Sequence, residues 1–176
     1  MNRALGLALL AAVLWAPAGC HRKKSAAPAA AVEEGPRVAS TVHTGDPKSA
    51  GQLVSGFYDI ENGAWRWTGK QFTAELGVPF GAGEKGATLE LELTIPDVVI
   101  EKSKTVTLEG AVDGNALPPE TYTKAGEYTY RREVPAALLR GESVKAAFTL
   151  DKTIRAGGGD LRDLGIVAAR IGLQGK

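Results

Sequence analysis

The sequence predicts an all-β fold, an antiparallel β-sandwich of the jelly-roll kind, over residues 51–176. Apolar and polar side chains alternate most clearly at residues 89–95, Leu-Glu-Leu-Glu-Leu-Thr-Ile, as in strands with one buried face. Similar alternation recurs at residues 72–78, 106–112, 128–134, 144–150 and 167–173. Clusters of glycine, proline, asparagine and aspartate separate these segments, as expected for the turns of a sandwich. We expect at most one short helical turn, at residues 135–140.

The chain begins with the features of an export signal. Arg3 supplies a positive charge, and an apolar run of 12 residues follows at positions 4–15, too short to span a bilayer comfortably. Small residues then precede Cys20, the only cysteine. The arrangement resembles the lipobox of bacterial lipoproteins, with Pro17 at a position that is usually aliphatic. The resemblance implies that residues 1–19 are a signal peptide and that Cys20 becomes the lipidated first residue.

The alternative is an ordinary secretory signal that leaves Cys20 as a free thiol. An unpaired cysteine is unusual in an exported protein, which favours lipidation and a membrane anchor. Because His21 follows Cys20, rather than the aspartate that resembles an inner-membrane retention signal, we expect an outer-membrane location in an organism that has one.

Residues 20–50 are predicted to be the lipidated cysteine and a disordered linker. Their composition is rich in alanine, proline, glycine and charged residues, without apolar periodicity. Such a segment cannot bury enough apolar surface to offset its conformational entropy. We therefore expect a tether that is separable from the domain at residues 51–176.

The composition of the predicted domain excludes several function classes. Residues 51–176 contain 15 Lys and Arg against 17 Asp and Glu, so there is no basic excess of the kind that binds nucleic acid. Both histidines, His21 and His43, precede residue 51. The domain therefore lacks the residues for Ser-His-Asp or Cys-His catalysis and for zinc sites with His or Cys ligands. We expect neither a metal nor a cofactor.

Two apparent motifs have simpler interpretations. Residues 81–86 match G-x-G-x-x-G, but a dinucleotide-binding motif opens a helix, whereas this one leads into the strand at residues 89–95; we interpret it as a hairpin loop. Residues 157–163 combine three glycines with Asp160 and Asp163. Two acidic residues are too few to define a calcium site.

Residues 56–69, Gly-Phe-Tyr-Asp-Ile-Glu-Asn-Gly-Ala-Trp-Arg-Trp-Thr-Gly, are the chemically densest segment. In an extended strand, Trp65 and Trp67 share one face, and Arg66 and Thr68 share the other. The aromatic residues either nucleate a core or line a binding surface.

This segment, a strand that ends in Asp113-Gly114, and the closing residues 160–173 together resemble the β-sandwich accessory domains of bacterial membrane glycosyltransferases. Those domains have galactose-binding-like or carbohydrate-binding-module-like folds. The resemblance implies a sandwich associated with envelope glycans, although this chain has no transmembrane glycosyltransferase portion. It implies a ligand-binding set made of Tyr58, Glu61, Trp65, Arg66, Trp67, Arg162 and Asp163.

Other interpretations of these residues stay open. Trp65 and Trp67 could be core residues, Arg66 and Glu61 could form a surface ion pair, and Arg162 and Asp163 could hold a loop. We therefore consider a lipid-anchored, noncatalytic module that binds a glycan or an envelope protein, a structural lipoprotein that docks a protein partner, and, third, a glycan hydrolase that depends on two carboxylates.

Overall fold

The computed structural model describes residues 38–157 and 159–176. Twelve strands are present in the described part: β1 Thr41–His43, β2 Leu53–Glu61, β3 Trp65–Gly77, β4 Ala87–Ile95, β5 Val106–Val112, β6 Asn115–Ala116, β7 Glu120–Tyr122, β8 Gly126–Val134, β9 Ser143–Leu150, β10 Ile154–Arg155, β11 Asp163–Leu164 and β12 Val167–Gly175. The helical segments are α1 Ala82–Lys85, α2 Asp97–Ser103 and two 3-10 helices, Pro47–Gln52 and Ala136–Leu138. Every strand pair is antiparallel. The fold is an antiparallel β-sandwich, which confirms the predicted fold class.

The main sheet curls into two packed layers, with β3 shared between them. The front layer has the order β8, β4, β12, and the first residues of β3 continue it beyond β12. The rest of β3 pairs with β9, which pairs with β5 in the back layer. Tyr130 of β8 closes the sandwich, because its ring packs edge-on against Phe148 of β9 at 6.1 Å and its hydroxyl accepts a hydrogen bond from Gly110 N of β5.

The core lies between these layers and consists of the inward residues of the alternating strands. Phe72 and Phe148 stack with ring centroids 5.0 Å apart. Residues 89, 91, 93 and 95 of β4 are buried, as the alternation predicts. Gly110 is required where Tyr130 crosses the layers, because a Cβ at this position would lie 2.8 Å from the tyrosine hydroxyl.

The folded part begins earlier than the predicted boundary at residue 51. Strand β1 pairs with β12, and Val42 is fully buried. Thr44 is also buried and donates its hydroxyl to Ala168 O at 2.6 Å. The assignment of residues 38–50 to a disordered linker is therefore wrong. The sequence did not reveal this strand, because one buried valine among three residues produces no detectable periodicity. Residues 20–37, including Cys20 and the rest of the predicted linker, lie outside the described residues.

The helical content exceeds the single predicted turn. The predicted turn is present as the 3-10 helix Ala136–Leu138, but α2 follows Pro96 and buries Val99. Residues 81–86 contain the short helix α1 and do not form a hairpin, because β3 and β4 lie on opposite sides of β12. In the described ranges, no helix is long and apolar enough to cross a membrane.

Candidate functional site

The outward surface of the front layer carries both tryptophans of the domain. Trp67 pairs with Val167, Val167 with Thr94, and Thr94 with Glu127. Direct partners in antiparallel strands project their side chains to the same face. These four residues therefore form one row across β3, β12, β4 and β8. We call this surface, with its neighbours Trp65, Glu92 and Thr129, the front face.

An open depression lies beside this row on the front face. Its volume is about 380 Å³, and it is lined by Glu92, Leu93, Thr94, Glu127, Tyr128, Thr129 and Ala169. Ala169 is the extra residue of an irregularity in β12, where the pairing with β4 shifts between Ala168 and Arg170. Thr44 holds this bulge, because its amide and hydroxyl both donate to Ala169 O. The bulge places Ala169 in the wall of the depression, and carboxylates and hydroxyls supply most of the remaining walls.

The tryptophans are neither core residues nor fully exposed platforms. Both are half-buried, and their rings meet edge to face at 6.4 Å with an interplanar angle of 80°. Trp67 also packs against the buried core, and its neighbour Val167 is buried, with 7% of its surface exposed. The pair therefore presents partly exposed aromatic surface next to a buried aliphatic side chain, as the shared-face prediction requires.

Arg66 lies away from this aromatic surface. It alternates with the tryptophans along β3, so its side chain leaves the opposite face of the strand. Its Nε donates to Thr44 O at 2.8 Å and its Nη1 donates to Tyr58 O at 2.7 Å. Arg66 therefore ties β2 and the segment after β1 to β3, and the structure does not bring it to the front face with Trp65 and Trp67.

The opening and closing motifs meet around Arg162. Its guanidinium pairs with Asp160 at 2.7 Å and with Glu61 at 3.1 Å. It also lies 5.2 Å from the centroid of the Tyr58 ring, within cation–π range. Hydrogen bonds from Arg162 lower the pKa of Asp160 below its usual value. The tyrosine hydroxyl donates to the backbone oxygen of Asp163 at 3.0 Å.

This cluster borders the front face, because Glu61 is the direct cross-strand partner of Trp65. Its polar groups, however, mainly bind one another. The Asp163 carboxylate pairs with Arg155 at 3.3 Å. The cluster therefore holds the loop after β10 beside the tryptophans, which agrees with the loop-holding alternative for Arg162 and Asp163. Among the described residues, no three His, Cys, Asp or Glu side chains converge as a metal site.

Sequence reasoning missed the charged network on the same face. Arg170 Nη2 contacts Glu92 at 2.7 Å and Glu90 at 3.2 Å, and Arg131 contacts Glu90 at 2.7 Å. The hydrogen bond from Arg170 lowers the pKa of Glu92 below its usual 4.5. The alternation of β4 placed Glu90 and Glu92 on one face, but it could not show which strands supply their partners.

Solved structures of carbohydrate-binding modules align with this chain, although its sequence matches no known family. No protein-family model matches the sequence, and no curated protein shows significant similarity to it. Solved structures that align with it include TmCBM27, a carbohydrate-binding module described for specific mannan recognition, at 12% identity over 79% of this chain and 97% of that one, with a TM-score of 0.46.

Two further alignments are similar in extent. The CBM36-1 domain of a multidomain xylanase from the hindgut metagenome of Trinervitermes trinervoides aligns at 12% identity over 75% of this chain and 94% of its own, with a TM-score of 0.37. A family 35 carbohydrate-binding module from an environmental isolate aligns at 13% identity over 82% and 90%, with a TM-score of 0.38.

Proposed function

We propose that this protein is a noncatalytic, lipid-anchored module that binds a glycan of the cell envelope on its front face. The observation that supports glycan binding most directly is the row of Trp67, Val167, Thr94 and Glu127 across four strands. It places partly exposed aromatic surface beside a depression with carboxylate and hydroxyl walls.

This combination suits a sugar ring. A pyranose has an apolar C–H surface that packs on an aromatic ring and a periphery of hydroxyls that needs hydrogen-bond partners. Binding pockets for small molecules are commonly about 300–1,000 Å³ and combine apolar walls with a few placed polar groups. The depression, at about 380 Å³, has this size, and Thr94, Thr129 and Glu127 supply acceptors and hydroxyl donors at its edge.

The ion pair of Glu92 suits this carboxylate to binding and not to acid catalysis. Glycosidases require one carboxyl group that is protonated at working pH, so that it can act as the general acid. Arg170 instead lowers the pKa of Glu92 and keeps it ionised. A salt-bridged carboxylate is a good hydrogen-bond acceptor for sugar hydroxyls and a poor general acid.

The anchor and the location come from the sequence. A lipid on Cys20 would hold the domain at a membrane of the cell envelope, where glycans are the abundant ligands. The domain would then act by retaining the anchored protein, or partners carried with it, on that glycan.

A glycan array tests this proposal. The mature chain from residue 20, together with Trp67→Ala and Phe80→Ala, is screened against a broad panel of bacterial glycans. Phe80 is the matched control, since it is an exposed aromatic residue away from the front face. We expect Trp67→Ala to lose at least tenfold in affinity and Phe80→Ala to bind as the wild type does. Thermal unfolding of each variant confirms that it is folded at the screening temperature.

Two outcomes of the glycan array would contradict the proposal or the position of its site. Absence of binding by the wild-type chain across the panel would contradict the glycan proposal and favour a protein partner on the front face. Equal loss in both variants would place the site elsewhere.

A further inference from the structure

Phe80 is the most exposed large apolar residue in the part of the chain that the structure describes. Its relative exposure is 106%, against 79% for Leu161 and 49% for Val54. It lies between β3 and α1 and lines a shallow depression with Gly81, Gly83, Glu84, Lys85 and Lys176. An aromatic ring held entirely in water gains none of the stabilisation that burial provides. Covering the Phe80 ring with an apolar partner would therefore be favourable.

The N-terminal segment joins the sandwich at the same end. Gly77, the last residue of β3, donates its amide to Ala39 O at 2.9 Å. Gly175, near the end of β12, lies next to the same connection, because a Cβ on Gly175 would be 3.3 Å from Pro79 Cβ. We call this end, defined by Ala39, Gly77, Phe80 and Gly175, the entry pole.

The tryptophans lie at the opposite end of the front layer. Strand β12 starts at Val167, the partner of Trp67, and ends at Gly175 beside Pro79. Eight steps along a strand cover about 26 Å at roughly 3.3 Å per residue. The front-face row and the entry pole are therefore separated by most of the length of the sandwich.

We propose that the entry pole rests on the lipid bilayer, with the Phe80 ring inserted at the membrane interface. This inference rests on the proposed lipid anchor at Cys20. Seventeen residues, 21–37, separate Cys20 from Val38, and a segment of this length reaches at most about 60 Å. Because the segment joins the sandwich at the entry pole, a lipid on Cys20 would let this pole reach the bilayer, and such tethering lets a weak contact persist.

The charges of the entry pole balance, so the proposed contact is an apolar one at the bilayer interface and not an attraction to an anionic surface. Lys176 pairs with Glu133, and Glu84 lies beside Lys85, so these side chains give no cationic excess. The apolar ring of Phe80 supplies the contact, and Lys85 can keep its stem at the interface while its ammonium stays in water. The contact directs the end with Trp65 and Trp67 away from the membrane, where a glycan can reach it.

Brominated vesicles provide the test. Residues 20–176 are coupled through the thiol of Cys20, the only cysteine, to a maleimide lipid in vesicles whose acyl chains carry bromine near the headgroups. This chemical coupling supplies the tether whether or not cells lipidate Cys20. Trp65 and Trp67 are the only tryptophans in this segment. Bromine quenches tryptophan emission on contact, so wild-type emission reports the far end of the sandwich.

We expect no quenching of the wild-type protein. Phe80→Trp should add emission of which at least half is lost on brominated vesicles, whereas Leu161→Trp, the matched exposed control beside the Arg162 cluster, should add emission that persists. Hydrogen exchange on the wild-type chain checks the native side chain: amides of residues 81–86 should exchange at least twofold more slowly on vesicles than in solution, and Phe80→Ser should remove this protection.

Two results would overturn the inference. One is full emission from Phe80→Trp on brominated vesicles together with unchanged exchange at residues 81–86. The other is equal quenching of Phe80→Trp and Leu161→Trp, which would mean that the domain has no preferred orientation. Neither result depends on cellular lipidation, which is tested separately by membrane fractionation of Cys20→Ser.

Discussion

At the scale of single residues, the partners that each polar side chain already has decide whether it is free to meet a ligand. Arg66 donates to two backbone oxygens, and Arg162 and Arg170 are each held by two carboxylates. By contrast, Thr94 and Glu127 make no side-chain hydrogen bond or ion pair with any residue that the structure describes. In the proposed complex, they would bind the sugar together with Thr129, Glu92 and the tryptophan rings.

The prediction about membrane anchoring concerns Cys20. If Cys20 is lipidated, Cys20→Ser should move the protein from the membrane fraction to the soluble fraction or leave it as an uncleaved precursor. Fractionation of cells and mass determination of the mature chain measure this. Recovery of the unsubstituted protein without lipid in the soluble fraction would contradict the anchor.

A substitution at Gly110 tests how Tyr130 closes the sandwich. A Cβ at Gly110 would lie 2.8 Å from the Tyr130 hydroxyl, which accepts from Gly110 N and donates to Pro118 O. Gly110→Ala should therefore lower the free energy of unfolding by about 1–3 kcal/mol, because the added methyl displaces the ring from a packed core. Gly157→Ala is the control, since a Cβ there meets no atom within 4 Å. Denaturant unfolding of both variants makes the comparison.

The network around Arg170 predicts a pH dependence of stability. The folded-state pKa of Glu92 lies below its usual 4.5, chiefly through the hydrogen bond from Arg170. A lowered pKa contributes stability that is present above the unfolded-state value and is lost as the pH falls through the folded-state value. The Tm should therefore decline as the pH falls below about 4.5.

Substitution of Arg170 separates this contribution from those of other carboxylates. Arg170→Met should make the decline in Tm below pH 4.5 shallower, because Glu92 then titrates closer to its unfolded-state pKa. Lys124→Met, which removes a cation without an acidic partner among the described residues, should leave the decline unchanged. Identical pH profiles for the wild type and Arg170→Met would contradict the role assigned to Arg170.

At the scale of elements, β1 shows why a boundary read from composition can be misplaced. It has three residues and one buried side chain, Val42, yet it extends the pairing of β12 beyond the short contact with β3. Thr44 then supports the bulge at Ala169, which lines the depression. A segment that resembles linker by composition therefore shapes the front face.

Two neighbouring substitutions test the role of β1. Val42→Ala should lower the free energy of unfolding by about 2 kcal/mol, because two buried methyl groups are lost and a cavity remains. His43→Ala, at the adjacent exposed position, should change it by less than about 0.5 kcal/mol. Equal, small effects of both would mean that β1 is not part of the stable fold.

The six alternating strands and the shared face of Trp65 and Trp67 could be predicted from the sequence, because both follow from the period of two along a strand. The pairing of β12 between β3 and β4 could not, since it depends on contacts between segments about 70 to 100 residues apart. That pairing creates the row from Trp67 to Glu127. The resemblance grouped Glu61 and Arg162 in one ligand-binding set, but their ion pair could not be predicted from the sequence.

At the scale of the whole molecule, the tryptophans and the entry pole lie at opposite ends of the front layer. The N-terminal segment enters beside Gly77, and the aromatic row begins at the other end of β12. Under the two proposals, the entry pole would rest on the membrane while the front face binds a glycan away from it. The central claim in this account is that a glycan binds across the front face.

Backbone amide shift mapping of the front face tests this claim most directly. The mature chain is labelled with ¹⁵N and titrated with the best-retained glycan of the array. We predict saturable shifts at residues 65–68, 92–94, 127–129 and 167–169, with residues 80–86 unmoved, and loss of these shifts in Trp67→Ala. Saturable shifts confined to any other surface, or shifts that persist in Trp67→Ala, would contradict the account.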